Sequence, residues 1–352
     1  MLNRVVLLLM LCAAAGCAAV PAAGPKPIEV KVVVVTMFEI GADSGDTAGE
    51  FQLWHERQKL DVRYPFAHFH DLYLNPKTGV LGMVTGVGSI NSASGIMALG
   101  LDPRFDLSHA YWLVAGIAGI DPEAASIGSA AWAEYLVDGD LAHEIDAREI
   151  PADWPTGYFP RDSKRPYDPD KPKPKGEMMR LNPQLTEWAF ELTRDVHLAD
   201  NVQLQETRSH FTGFPNAQKP PFVLKGDNLA GMTFWHGKLL NEWAEHWVDY
   251  WTDGKGHFVT SAMEDTGTFS SLTYLAATGK VDKDRVMVLR TGSNYTMPPP
   301  GMSAVDHLLQ ENAGYSGLNA SVEAAYQVGS VVVDEIVAKW PVYREHTPPL
   351  AQ

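Results

Sequence analysis

The run Lys31-Val32-Val33-Val34-Val35 sets four β-branched valines in succession. Branching at Cβ suits a pleated sheet, and a run without polar alternation has no face to turn toward water. The segment is therefore predicted to be a strand covered on both faces, as strands of parallel sheets are. Two more runs read alike: Tyr111-Trp112-Leu113-Val114-Ala115 before Gly116-Ile117-Ala118-Gly119, and Arg285-Val286-Met287-Val288-Leu289-Arg290 before Thr291-Gly292-Ser293-Asn294. A shorter one, Val80 to Val84, enters TGVGSINSASG at 85–95. In an open α/β sheet, ligands sit beyond the carboxyl ends of such strands, so four turns of small or polar residues are expected to converge on one crevice.

TGVGSINSASG reads as a strand end, a turn and a helix from Ser89 to Leu99. Gly86 and Gly88 allow close backbone approach, and the helix start offers unpaired N–H donors. A dinucleotide fingerprint is disfavoured, because Asn91 stands where its third glycine belongs and Leu101 to Leu107 reads as a loop.

The intervening segments supply helices. Glu264 to Thr278 carries Phe269, Leu272, Leu275 and Ala276 at helical spacing, with Gly279 as its stop. Ser321 to Lys339 repeats the pattern, with Ser321 as the expected N-cap. Asn182 to His210 is helix-compatible, whereas the seven prolines between Ile150 and Gly176 forbid regular structure and define an excursion at 150–178. No internal repeat or second core is evident, so one elaborated domain spanning 28–345 is expected.

Residues 1–24, MLNRVVLLLMLCAAAGCAAVPAAG, have an early Arg, an apolar run and then small residues, the pattern of an export signal. The protein is therefore expected to be exported, periplasmic or extracellular. Ala14-Ala15-Gly16-Cys17 also fits a lipidation box that would anchor the chain through Cys17, and cleavage after Ala19 or Ala23 fits an ordinary signal peptidase. Both cysteines, Cys12 and Cys17, lie in this segment, so a disulfide is excluded from the mature chain. Residues 1–24 hold one Arg and no acid, so their removal takes the formal charge from −15 to −16. Such acidity disfavours nucleic acid and anionic lipid as partners. After residue 24 no apolar run approaches the roughly 20 residues that a membrane span needs.

Four stretches in order resemble the nucleoside phosphorylase and nucleosidase superfamily: Val84-Thr85-Gly86-Val87-Gly88, Val114 to Gly119, Met263-Glu264, and Arg290-Thr291-Gly292-Ser293-Asn294. With FEIGADSGDTAGEFQLW at 38–54, FWHGKLLNEWA at 234–244, EDTGTFSSL at 264–272 and RTGSNYTMPPPG at 290–301, the chain after residue 28 resembles the purine nucleoside permease family more closely still. The resemblance implies a three-layer α/β/α sandwich around a mixed, mostly parallel sheet. It further implies a purine nucleoside ligand and cleavage of its N-glycosidic bond by water or phosphate, with non-catalytic nucleoside binding in aid of transport as the alternative.

By the same resemblance, Glu264 accepts the ribose 2′- and 3′-hydroxyls and Met263 packs under the sugar. Asn294 stands where bacterial superfamily members carry an Asp that protonates the purine at N7. An amide can donate a hydrogen bond there but cannot deliver a proton, which implies a preference for 6-oxopurines or another proton source. Phe234 and Trp235 are the candidates for covering the base, against the alternative of plain core aromatics. Gly86, Gly88, Ser89, Asn91, Gly116 and Ala118 are expected beside the ligand, with helix capping as the alternative for Ser89 and Asn91. Glu39 is the candidate for activating water, with Asp43 and Asp46 close behind it. Phosphorylases hold phosphate with arginines, one just before this glycine turn; here that position is Thr85, and no Arg or Lys occurs between Lys31 and Arg57, so water is the favoured acceptor. No cofactor and no metal is expected, the His68/His70 pair and the acidic cluster notwithstanding; His236 adjoins the expected base pocket. A homo-oligomer is expected, because related folds place a neighbour's residue in the pocket.

Overall fold

The computed structural model describes residues 26–66 and 69–349. The leader, both cysteines and His68 lie outside the described residues. Val32–Thr36 is a strand buried along its whole length, as its valines require. It runs parallel to Val80–Val84 on one side and to Tyr111–Ile120 on the other. Tyr111–Ile120 in turn runs parallel to Val286–Tyr295. These four strands form the centre of a mixed sheet, twelve-stranded among the described residues, whose margins include antiparallel pairs.

Successive side chains of a strand point to opposite faces, and here each face has its own core. Val33 and Val35 pack with Ile96 and Leu99 of the helix Ser89–Gly100 and with Phe269, Leu272 and Leu275 of the helix Asp265–Ala277. Val32 and Val34 pack with Val328, Val332 and Ile336 of the helix Leu318–Ala338. The result is the expected three-layer α/β/α sandwich.

Three local expectations are adjusted. The terminal helix starts at Leu318 rather than Ser321, and Ser321, fully buried, donates its Oγ hydroxyl to Gly292 O over 2.5 Å instead of capping. Asn182 to His210 holds two helices, Pro183–Thr193 and Val202–Ser209, each capped by an Asn. The excursion contains the short strand Tyr158–Phe159 and leads into another, Met178–Arg180. It docks on the helix Lys238–Thr252 and its C-terminal end, where Lys171 Nζ reaches Trp251 O at 3.0 Å and Asp253 Oδ1 at 2.7 Å and Tyr250 donates to Asp168 O at 3.0 Å.

The sheet opens where the site lies. Val32 to Val35 pair with Tyr111 to Val114, and the next partner of Tyr111–Ile120 along that series is the strand Phe258–Ala262, at Gly119 and Ile120. Between these registers the strand from Ala115 to Ala118 faces a crevice at the carboxyl end of Val32–Thr36.

Candidate functional site

The crevice encloses a cavity of about 230 Å³. Glu50 enters it from the loop after Val32–Thr36, and its carboxylate takes the place of ladder hydrogen bonds between the diverging strands. Met37 N donates to Glu50 Oε2 and Ile117 N to Glu50 Oε1, both at 2.7 Å. Gly116 makes room for it: a Cβ there would stand 2.6 Å from Glu50 Oε1 and 2.8 Å from Arg290 Nη1. Glu50 is 4% exposed. Burial pushes its carboxyl up to about 7, with Arg290 pulling it down and Glu264 pushing it up.

Glu264 is the N-cap residue of Asp265–Ala277, yet its side chain makes no capping hydrogen bond. Its carboxylate turns to the cavity, where Oε1 accepts from Gly88 N and Oε2 from Arg290 Nη2, each at 2.9 Å. Gly88 has φ 91° and ψ 156°, a conformation open in practice to glycine alone. The glycine turn therefore grips a carboxylate of the protein's own. Ser89 Oγ donates to Met263 O at 3.0 Å, tying the same two segments together.

Arg290, 1% exposed, donates from Nε to Asp265 Oδ1 and Oδ2 at 3.2 and 3.1 Å, from Nη2 to Asp265 Oδ1 at 2.8 Å, and from Nη1 to Ile117 O at 3.1 Å. The surrounding carboxylates hold its guanidinium firmly protonated despite its burial. Among the described residues, Arg290 is the one cationic side chain lining the cavity.

Of the residues singled out in the sequence, Ala118, Phe234, Met263, Glu264 and Asn294 line the cavity together. Asn294 Oδ1 accepts from Ser293 Oγ at 3.0 Å and Nδ2 donates to Tyr295 O at 3.3 Å, which leaves one N–H and one lone pair for a ligand. Phe234 faces Tyr315, the two rings nearly parallel at 6.3 Å between centroids. Gly86, Gly88, Ser89, Asn91 and Gly116 shape the surroundings without lining the cavity; Asn91 Nδ2 bonds back to Val87 O at 2.8 Å. His236 lies outside the lining, paired with His307 at 3.0 Å, and burial, followed by His307, pushes it down to about 4.

Two expectations are corrected in placement. Trp235 turns to a separate cavity of about 130 Å³, beside Tyr158 and Trp243. Glu39 does not reach the crevice: its carboxylate accepts the N–H groups of Ile40, Gly49, Phe51 and Gln52, which closes the 39–52 loop and opens the helix Gln52–Arg57. Its effect is to aim Glu50 inward. Asp43 is occupied by His70 and Tyr73, and Asp46 by Ala42 N. Sequence reasoning missed Glu50, Arg290 and Tyr315 as lining residues. Glu50 and Arg290 lie inside the very stretches, FEIGADSGDTAGEFQLW and RTGSN, that carried the resemblance, and that placement was the available signal.

The sandwich and its crevice define a fold of nucleosidase type. A 5′-methylthioadenosine/S-adenosylhomocysteine nucleosidase from Helicobacter pylori superposes with a TM-score of 0.52 at 15% identity, covering 87% of this chain and 99% of that one. The futalosine hydrolase of Helicobacter pylori gives 0.50 at 14% identity, covering 87% and 98%. At such identities the likeness is one of fold. The family is set by sequence: the model described as purine nucleoside permease matches residues 29–348, and the chain belongs to that family. A purine nucleoside permease of Candida albicans is 31% identical over 323 residues, 90% of this chain and 77% of the relative. A relative from Schizosaccharomyces pombe is 31% identical over 319 residues, 88% of this chain and 90% of its own length. No helix among the described residues is long and apolar enough to cross a membrane.

Proposed function

We propose that the cavity binds a purine nucleoside and hydrolyses its N-glycosidic bond. One observation carries this reading: a buried carboxyl held near neutrality, Glu50, lines the same cavity as a second carboxylate, Glu264, that is fixed for hydrogen bonding. Family relatives named for purine nucleosides and solved nucleosidases of the same fold support the choice of ligand.

In this reading Glu264 accepts the ribose 2′- and 3′-hydroxyls with the lone pairs that Gly88 N, Arg290 Nη2 and Met263 N, which donates to Oε2 at 3.3 Å, leave free. Met263 lies against the sugar, and Phe234 covers the base. Glu50, as carboxylate, takes a proton from water as the oxygen bonds to C1′ and the C1′–N9 pair departs with the base. The departing purine receives a hydrogen bond from Asn294 Nδ2, and the proton gained by Glu50 balances the anion that leaves. An amide donor suits 6-oxopurines, which leave more readily without prior protonation than 6-aminopurines. Water is favoured over phosphate because the donors of Arg290 serve Glu264, Asp265 and Ile117 O, and phosphate requires free charge-assisted donors.

Base released from inosine, guanosine and adenosine by the leader-less protein, followed by chromatography with and without phosphate, tests this directly. Release from inosine and guanosine that ignores phosphate is expected. Release that depends on phosphate would replace hydrolysis with phosphorolysis. Binding without release is the second reading, favoured by the Asn in place of a proton-donating acid; it would make the protein a nucleoside carrier for uptake. Export by the 1–24 leader, with or without anchorage at Cys17, and assembly into a homo-oligomer complete the proposal.

A further inference from the structure

Asp265 is 0% exposed and stands at the first turn of a helix, where an acid commonly serves the helix dipole. Its side chain does something else. Both oxygens face the Nε edge of Arg290, and Oδ2 also accepts from Asn228 Nδ2. Asn228 is itself oriented by Thr260, whose Oγ1 donates to Asn228 Oδ1 at 3.2 Å. The carboxylate is thus braced from behind, and the guanidinium plane is set by it. Arg290 then presents a single contact to Glu264 and makes no ion pair within 4.0 Å to Glu50.

We propose that Asp265 is a positioning residue that claims one edge of Arg290, so that Glu264 keeps lone pairs for the ribose and Glu50 stays free to exchange a proton. This rests on the hydrolytic reading above. Without Asp265, Arg290 can turn its Nε edge to Glu264 in bidentate fashion or swing to Glu50. The first occupies the ribose acceptor; the second locks the base as a paired carboxylate. The charged groups facing Glu50 are Arg290, from Val286–Tyr295, and Glu264, from the start of Asp265–Ala277, while Met37 and Ile117 contribute backbone N–H groups. Removing the negative charge of Asp265 leaves the cation less compensated, which favours ionised Glu50. The change in pH behaviour is therefore downward.

The test is Asp265→Asn. Its pH profile of kcat/KM should have an acid limb lower by at least about one unit, and KM for the nucleoside should rise several-fold. A folded variant with both unchanged overturns the proposal. Difference infrared titration of Glu50 in the free protein, identified by subtraction of the Glu50→Gln variant, separates the two readings. If wild type releases no base, hydrolysis fails, yet a lowered Glu50 titration in Asp265→Asn still supports the positioning role and an unmoved one overturns it. Should Asp265→Asn not fold, Asn228→Ala removes the brace and keeps the charge. It should raise KM, or the nucleoside Kd, several-fold with the acid limb in place, and wild-type affinity would overturn the proposal.

Discussion

Gly88 and Glu264, 176 positions apart in the chain, are joined by a hydrogen bond of 2.9 Å from the glycine amide to the carboxylate. The bond links the turn before one helix to the start of another, and both helices lie on the same face of the sheet. Any other residue at φ 91° would strain the turn. Space is adequate, since the nearest atom to an added Cβ is 3.4 Å away. Gly88→Ala should therefore lose about 1–3 kcal/mol through backbone conformation and weaken nucleoside binding through Glu264. Denaturant unfolding and titration calorimetry read the two effects separately.

Glu50→Gln keeps the size of the side chain and removes its capacity to take a proton. Base release should drop by about 10²–10⁴-fold while nucleoside affinity changes little. Single-turnover release measured beside equilibrium binding checks both.

The acid limb of the wild-type reaction follows from the same carboxyl. Burial raises Glu50 to about 7, so the required carboxylate is lost as pH falls through that value. kcat/KM should rise about tenfold per unit of pH below the limb and level off above it. A profile flat from pH 5 to 8 would remove Glu50 from the role of base.

Asn294→Asp restores a group able to carry a proton to the leaving base. Adenosine cleavage should appear or increase, with the gain confined to pH values at which the new carboxyl is protonated. Competition between adenosine and inosine, followed as kcat/KM for each, measures the change in preference.

Asp121, 2% exposed, gives a stability prediction away from the cavity. Burial raises it from 3.8 to about 7, against hydrogen bonds from Glu123 N and Asn241. The folded protein binds this proton more tightly than the unfolded chain, so stability declines as pH rises between these two values. Asp121→Asn removes the decline and retains an acceptor for both donors. It should match wild type near pH 4 and exceed it at pH 8 by on the order of 4 kcal/mol, as thermal or denaturant unfolding at the two pH values will show.

The purine ligand reading rested on four stretches in order, and from them Ala118, Met263, Glu264 and Asn294 do share one cavity, with Phe234 beside them. They were legible because each sits at a strand end or a helix start, positions that local pattern marks. Glu39 and Glu50 were harder to tell apart. Both are acids after the first strand in a loop without periodicity, and their roles differ through which one the loop's own N–H groups consume. Trp235 and Phe234 pose the same difficulty, since neighbouring aromatics look alike in sequence and turn to different cavities.

Local chemistry determined the four central strands, the glycine turns and the helices packed on them: β-branched runs have few other places to go, and glycines stand where the backbone takes positive φ or approaches closely. The charge cluster was decided by tertiary structure alone. Glu50, Glu264, Asp265 and Arg290 come from three separated segments; the protonation of Glu50 and Arg290 and the pairing and orientation of all four depend on distances and desolvation that arise only when the sheet splays and buries them together.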